Sequence, residues 1–217
     1  AALAAGRLGH GLLICGPERL GKREVARILA QRLLCPHPGD DGLACGRCRA
    51  CQLFASGHHG DFHAIGLEAN EKTGKLRQEI TVDQVRRLSH QFGLTPQHGD
   101  TVVALLEPAE ALNRNACNAL LKTLEEPVPG RYLVLVSDQP HRLLPTVRSR
   151  CQRLEVRLPG REACEAWLAG QGHPKDAAAA ALDAARGHPG LAADWLADGS
   201  LDLRRSVRAD LASLAAG

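Results

Sequence analysis

The stretch that most constrains the fold is Gly16-Pro17-Glu18-Arg19-Leu20-Gly21-Lys22-Arg23. It follows the apolar run Gly11-Leu12-Leu13-Ile14-Cys15 and precedes a helical pattern beginning at Glu24, an order that reads as strand, phosphate loop and helix. The spacing G-x-x-x-x-G-K is that of a Walker A motif, in which glycines turn backbone N–H groups toward a polyphosphate and the lysine reaches its terminal phosphates. Gly16, Gly21 and Lys22 are therefore the candidate nucleotide-binding residues. The next position ordinarily carries a Ser or Thr hydroxyl that holds magnesium. Here it is Arg23, a cation that cannot ligate a metal. This favours a nucleotide-binding fold that has lost hydrolysis over a chance glycine loop or an active ATPase with unusual metal ligation.

The remaining pattern is that of an α/β chain. Val25, Ile28, Leu29, Leu33 and Leu34 recur at helical spacing, and Phe62 to Ile65 alternates like a short strand. Residues 68–79 are polar and glycine-containing, as expected of a mobile loop. Thr81-x-x-Gln84 predicts a capping box opening a helix that buries Val82, Val85, Leu88 and Phe92. The runs 101–106 and 132–136 are apolar throughout, as parallel strands covered on both faces require. Between them, 115–126 is helical with Ala116, Leu120 and Leu124 on one face. A short helix at 144–149 and a last strand at 153–158 follow, giving a mostly parallel sheet with helices on both faces.

Pro159-Gly160 marks a boundary, beyond which the pattern predicts three short helices and no strand. The expected organisation is a phosphate-loop domain over 1–158 containing a cysteine module at 35–51, a small helical domain over 159–199, and the start of another domain at 200–217. The chain opens without Met directly ahead of its first strand, as expected of a segment of a longer protein.

Cys35, Cys45, Cys48 and Cys51 follow the spacing C-x9-C-x2-C-x2-C on a turn-rich stretch. Four thiolates in that arrangement suit a closed tetrahedral Zn²⁺ site, whose role is to fold a protruding knob and not to catalyse. Free or redox-active thiols and an iron–sulfur cluster are the competing readings. His37, His58, His59 and His63 are taken as surface residues or residues beside the ligands, because four cysteines already fill the shell. Cys15, Cys117 and Cys164 fall within apolar patterns and are expected to be small buried hydrophobes.

A nucleotide hydrolase of this fold needs an Asp at the end of its second apolar strand, often followed by a Glu that activates water. Here that strand ends in Glu107-Pro108-Ala109-Glu110, so Pro108 carries no carboxylate for the base. Glu110 is expected to be a surface or helix-start carboxylate. Arg148-Ser149-Arg150-Cys151 precedes the last strand. An arginine there either points into a neighbour's nucleotide, which its planar, permanently charged fork suits, or belongs to a basic surface cluster making local salt bridges.

The net charge of +3 is too weak to argue for a nucleic-acid footprint, and no run approaches a membrane span. The default placement is cytoplasmic. A zinc-containing nucleic-acid-binding module remains as an alternative. It would need a basic stripe with stacking aromatics, and aromatics make up only 3% of the chain and are scattered.

Taken together, the loop ending in Lys22-Arg23, the four-cysteine insertion, the run Asn118-Ala119-Leu120-Leu121-Lys122-Thr123-Leu124-Glu125-Glu126-Pro127 and Ser149-Arg150-Cys151 resemble the bacterial clamp-loader AAA+ family. The match runs from about Leu8 to Leu158, and more loosely into the helical remainder as a lid, with 200–217 as the start of a collar domain. Within the family, the gamma and tau motors have Thr after the loop lysine, Asp-Glu at the end of the second strand and a nucleotide-sensing arginine in the lid. This chain has Arg23, Glu107-Pro108 and Gly190 at those positions, and so resembles the non-hydrolysing delta-prime branch; an active gamma/tau-type ATPase is the alternative. The resemblance implies a structural Zn²⁺ on Cys35, Cys45, Cys48 and Cys51, ATP not bound productively, and no intrinsic ATPase activity. It also implies that Arg150 reaches the ATP of an adjacent subunit in a hetero-pentamer with gamma or tau and delta, which places the sliding clamp on primed DNA.

Overall fold

The computed structural model describes residues 8–70 and 73–216. Strand β1 (Gly11–Cys15) leads through the loop into helix α1 (Lys22–Leu34). The cysteine insertion and short helix α2 (Arg49–Ala55) come next, followed by β2 (Phe62–Ile65), α3 (Val82–Phe92), β3 (Val102–Leu106), α4 (Arg114–Glu125) and β4 (Arg131–Ser137). The short α5 (Pro145–Arg148) and β5 (Gln152–Glu155) complete a parallel five-stranded sheet of order β2-β3-β4-β1-β5. Helices α6 (Arg161–Gly170), α7 (Lys175–Ala184), α8 (Pro189–Ala197) and α9 (Ser200–Ala216) follow.

Strand alternation divides the sheet's side chains between two cores. On one face Leu13, Ala104, Leu106, Leu133 and Leu135 pack with Val85, Leu88 and Phe92 of α3 and Ala116, Leu120 and Leu124 of α4. On the other, Leu12, Ile14, Val103, Leu105, Val134 and Val136 meet Ala26, Ala30 and Leu34 of α1 and Phe54 of α2. The α1 contact corrects the sequence expectation. Val25 and Ile28 are 39% and 51% exposed, and the sheet-facing positions are the small Ala26 and Ala30, one turn apart, which let the helix axis approach the strands closely. Helix α1 also begins at Lys22, immediately after Gly21 at φ 70°, two residues before the pattern predicts.

The capping box is present. Gln84 is buried; its Oε1 accepts from the Thr81 N–H at 2.8 Å while its Nε2 donates to the Gly66 carbonyl at 2.8 Å. The stretch 68–79 is more ordered than a plain loop. Arg77 N–H donates to Glu68 O and Asn70 N–H to Lys75 O, a small antiparallel turn whose residues 71 and 72 lie outside the described set. The last strand is earlier and shorter than expected. It ends at Glu155, lies at the sheet edge with all four side chains exposed, and gives way to Val156, whose N–H bonds Cys15 O.

By contacts, the chain separates into two units: residues 1–16 with 21–156, and residues 17–20 with 157–217. The second has its own core of Cys164, Leu168, Ala178, Ala181, Leu182, Ala192 and Leu201. Among the described residues, no helix is long and apolar enough to cross a membrane.

Candidate functional site

The phosphate loop lies at the C-terminal end of β1, which is flanked by β4 and β5. Ligands of open parallel sheets sit at such strand ends. Lys22, first residue of α1, has a side chain only 3% exposed, and its Nζ lies 2.5 Å from Oδ1 of Asp138, just beyond β4. Asp138 is held in turn by Glu110, whose Oε1 accepts the Asp138 N–H at 3.2 Å. Glu110 sits in the first turn of the short 3₁₀ helix Ala109–Ala111, the helix-start placement its sequence suggested, and it also serves the site. Arg23 Nε lies 3.2 Å from Oε2 of Glu107, so the two positions where a hydrolase places magnesium ligands are joined to each other as an ion pair. Burial pushes the Glu107 carboxyl up, with Arg23 opposing that rise and Asp138 adding to it.

Gly16 and Gly21 are both required by the backbone. A Cβ on Gly16 would run into the Val156 carbonyl, and Gly21 sits in the left-handed region. Within the second unit, the loop residue Arg19 pairs with Asp194 of α8 at 2.8 Å. Gly190, second residue of α8, lies so close that any Cβ there would strike the Arg19 carbonyl oxygen. This backbone has no room for any side chain at position 190.

Sequence reasoning did not single out Asp138. The signal was available: it is a carboxylate just past the apolar run 132–136, at the C-terminal end of a parallel strand, which is where such folds place reactive groups.

The structure brings the four predicted cysteines together. All four Sγ atoms lie within 4.8 Å of one another, with Cys35 Sγ 3.6 Å from Cys45 Sγ and 3.9 Å from Cys48 Sγ. Tetrahedral Zn²⁺ with bonds of about 2.3 Å would hold its sulfurs about 3.8 Å apart. The backbone is shaped for thiolates. Cys45 N–H points at Cys35 Sγ (3.4 Å), Cys48 N–H at Cys45 Sγ (3.4 Å) and Cys51 N–H at Cys48 Sγ (3.5 Å), with Gly46 in the left-handed conformation that closes the turn. Backbone N–H groups of Arg47 and then Cys48 pull the Cys45 thiol down to about 6, whereas burial and the neighbouring thiols push Cys51 up to about 12. Four clustered sulfurs cannot all ionise without a cation between them. The set fits a divalent, thiophilic metal and is compatible with zinc.

The histidines divide. His59 is buried at 4% exposure, not a surface residue, with Nδ1 accepting the Asp61 N–H at 3.2 Å and its ring edge-on to His98. Cys15, Cys117 and Cys164 are buried among apolar side chains.

Arg150 lies in the turn between α5 and β5. Its side chain is 37% exposed, with Nη2 2.6 Å from Glu125 Oε1 and Nη1 donating to the Thr146 carbonyl at 3.0 Å. The structure thus shows the local salt bridge of one sequence reading, on a side chain that also reaches solvent.

A sequence profile of the family described as "DNA polymerase III, delta subunit" matches residues 1–159. The DNA polymerase III subunit delta' of Pseudomonas aeruginosa is 49% identical over 160 residues, covering 74% of this chain and 47% of that protein. The Escherichia coli subunit delta' is 35% identical over 193 residues, covering 88% and 56%. The chain thus spans about half the length of these curated relatives. A gamma/tau subunit from Mycobacterium tuberculosis is 33% identical over 157 residues, covering 72% of this chain and 26% of that protein. Among solved structures, the Thermotoga maritima RuvB Holliday junction branch migration motor superposes with a TM-score of 0.52 at 17% identity, covering 89% of this chain and 55% of that one, a likeness of fold alone. Given a family profile that spans residues 1–159 and relatives named subunit delta' at up to 49% identity, the chain belongs to the DNA polymerase III delta-prime subunits.

Proposed function

We propose that this delta-prime chain is a non-hydrolysing stator of the clamp loader and acts in trans, presenting Arg150 to ATP bound by a neighbouring gamma or tau subunit. The observation that carries the first half is the Arg23–Glu107 ion pair beside Pro108. A magnesium ion needs oxygen ligands at positions 23 and 107. Here a guanidinium fills one and neutralises the other, and Pro108 offers no base.

The second half rests on Arg150. Two of its five N–H donors are used by Glu125 and Thr146, and the side chain reaches solvent at the end of a short turn. A partly exposed, pre-oriented guanidinium is suited to stabilising charge on a phosphoryl group that another chain holds. On this reading residues 159–199 are the lid and 200–217 begin the collar. The exposed apolar side chains of Leu203, Val207, Leu211 and Leu214 along α9 support a further packing partner for that helix. Gamma or tau, delta, the sliding clamp and primed DNA are the partners of the assembled loader.

The test is steady-state ATP turnover by a loader reconstituted from full-length subunits with clamp and primed DNA. Arg150→Ala lowers turnover with assembly intact, because an arginine finger contributes about 10³-fold or more at the site it serves, while Lys22→Ala has little effect. Turnover that vanishes with Lys22→Ala and ignores Arg150→Ala identifies a gamma/tau-type motor instead.

A further inference from the structure

The loop's lysine already has an anion. Lys22 Nζ lies 2.5 Å from Asp138 Oδ1, and the lysine side chain is 3% exposed, so an incoming phosphate reaches that amine only by displacing the carboxylate. The arrangement is supported from behind. Glu110 Oε1 accepts the Asp138 N–H, and Glu110 lies in the short 3₁₀ turn Ala109–Ala111 that follows β3. The loop's first glycine is committed as well, its N–H directed at the Ser137 carbonyl at 3.4 Å. Both a charge and a backbone donor that a Walker-type loop offers to phosphate are thus turned toward the end of β4.

We propose that Asp138 is a built-in occupant of the phosphate loop, a carboxylate that takes the place of a nucleotide's terminal phosphate at Lys22 and keeps polyphosphates off the loop. This goes beyond the loss of hydrolysis, which concerns metal ligands and a base. It concerns binding itself, and it does not depend on Arg150. The charges agree. Asp138 pairs with Lys22 and Glu107 with Arg23, so both cations are already matched to carboxylates, and Glu110 adds a third carboxylate beside them. A triphosphate would add several negative charges to a site that holds three carboxylates. Asp138 is also 42% exposed on its side chain, so it can swing into water once its charge is removed or outcompeted. The loop is therefore latent, not destroyed.

An internal ligand lowers apparent affinity by the fraction of molecules in which the lysine is uncommitted. The experiment titrates full-length wild type, Asp138→Asn, and the double variant Lys22→Ala/Asp138→Asn with a fluorescent ATP analogue and, separately, with inorganic tripolyphosphate. Thermal melts check that each variant is folded. Asp138→Asn is expected to bind both ligands at least about tenfold more tightly than wild type, and the double variant to lose that gain. Equal gains for both ligands place the competition at the phosphates; a gain for the ATP analogue alone overturns the proposal. Wild type binding the analogue as tightly as Asp138→Asn also overturns it. Should Asp138→Asn fail to fold, acylation of Lys22 in wild type, followed by mass spectrometry, supplies the answer. Millimolar tripolyphosphate leaves the labelling rate unchanged if Asp138 holds the lysine, and micromolar protection contradicts the proposal.

Discussion

Arg150 and Glu125 form an ion pair at 2.6 Å that joins the turn before β5 to the last residue of α4. The side chains are 37% and 49% exposed, so solvent screens the pair and its contribution to stability is small, about 1 kcal/mol or less. Arg150→Ala and Glu125→Gln in the full-length subunit are therefore expected to shift chemical-denaturation stability by no more than that. A much larger loss would make Arg150 a structural residue and would undercut any functional reading of its substitution.

The contact between Gly190 and Arg19 gives a prediction of opposite kind. Any Cβ at position 190 meets the Arg19 carbonyl, and the backbone must move to admit it. Gly190→Ala should destabilise the helical unit by about 1–3 kcal/mol, read by hydrogen exchange of α8. Unchanged protection would mean that the loop yields easily there.

The cysteine cluster should carry one Zn²⁺ per chain by elemental analysis of the purified protein. Cys51→Ser or strong chelation should remove it and make residues 36–48 sensitive to protease, while the sheet, whose cores lie elsewhere, stays folded. Full zinc occupancy in Cys51→Ser would show that this thiol is not a ligand.

Burial holds the pKa values of His59 and His63 below the ordinary histidine value of 6.5, and Asp61 only partly opposes that. The unfolded chain takes up these protons near 6.5 and the folded chain only at lower pH. Stability is thus fully present above 6.5 and is lost as pH falls through it. Charging the ring puts a proton on Nδ1 and breaks the hydrogen bond that nitrogen accepts from the Asp61 N–H, which adds to the cost. His59→Gln should flatten the dependence of unfolding free energy on pH below the ordinary histidine value of 6.5; an undiminished slope would assign it to other groups.

Much of this was legible from residues alone. The G-x-x-x-x-G-K spacing, the two apolar strands and the Thr81/Gln84 box each point to one local structure, and the C-x9-C-x2-C-x2-C spacing points to one metal-sized cluster of sulfurs, which the structure forms. The α1 face was misread because hydropathy favours Val25 and Ile28, whereas packing on a sheet rewards the small Ala26 and Ala30. The end of the sheet was misplaced because edge strand β5 exposes every side chain and so has no alternation to read. Asp138 was marked only by its place just past an apolar strand; its pairing with Lys22 follows from β4 lying beside β1, a long-range contact.

The central claim is that Arg150 acts on a transition state in another subunit while the chain's own loop is catalytically silent. The most direct measurement is trapping of ADP with aluminium fluoride, a mimic of the transferring phosphoryl group, by the loader reconstituted from full-length subunits. Wild type and Lys22→Ala loaders should trap the same number of nucleotides. The Arg150→Ala loader should trap one fewer and still bind ATP normally before hydrolysis. Undiminished trapping by Arg150→Ala, together with one trapped nucleotide lost in Lys22→Ala, would contradict the account.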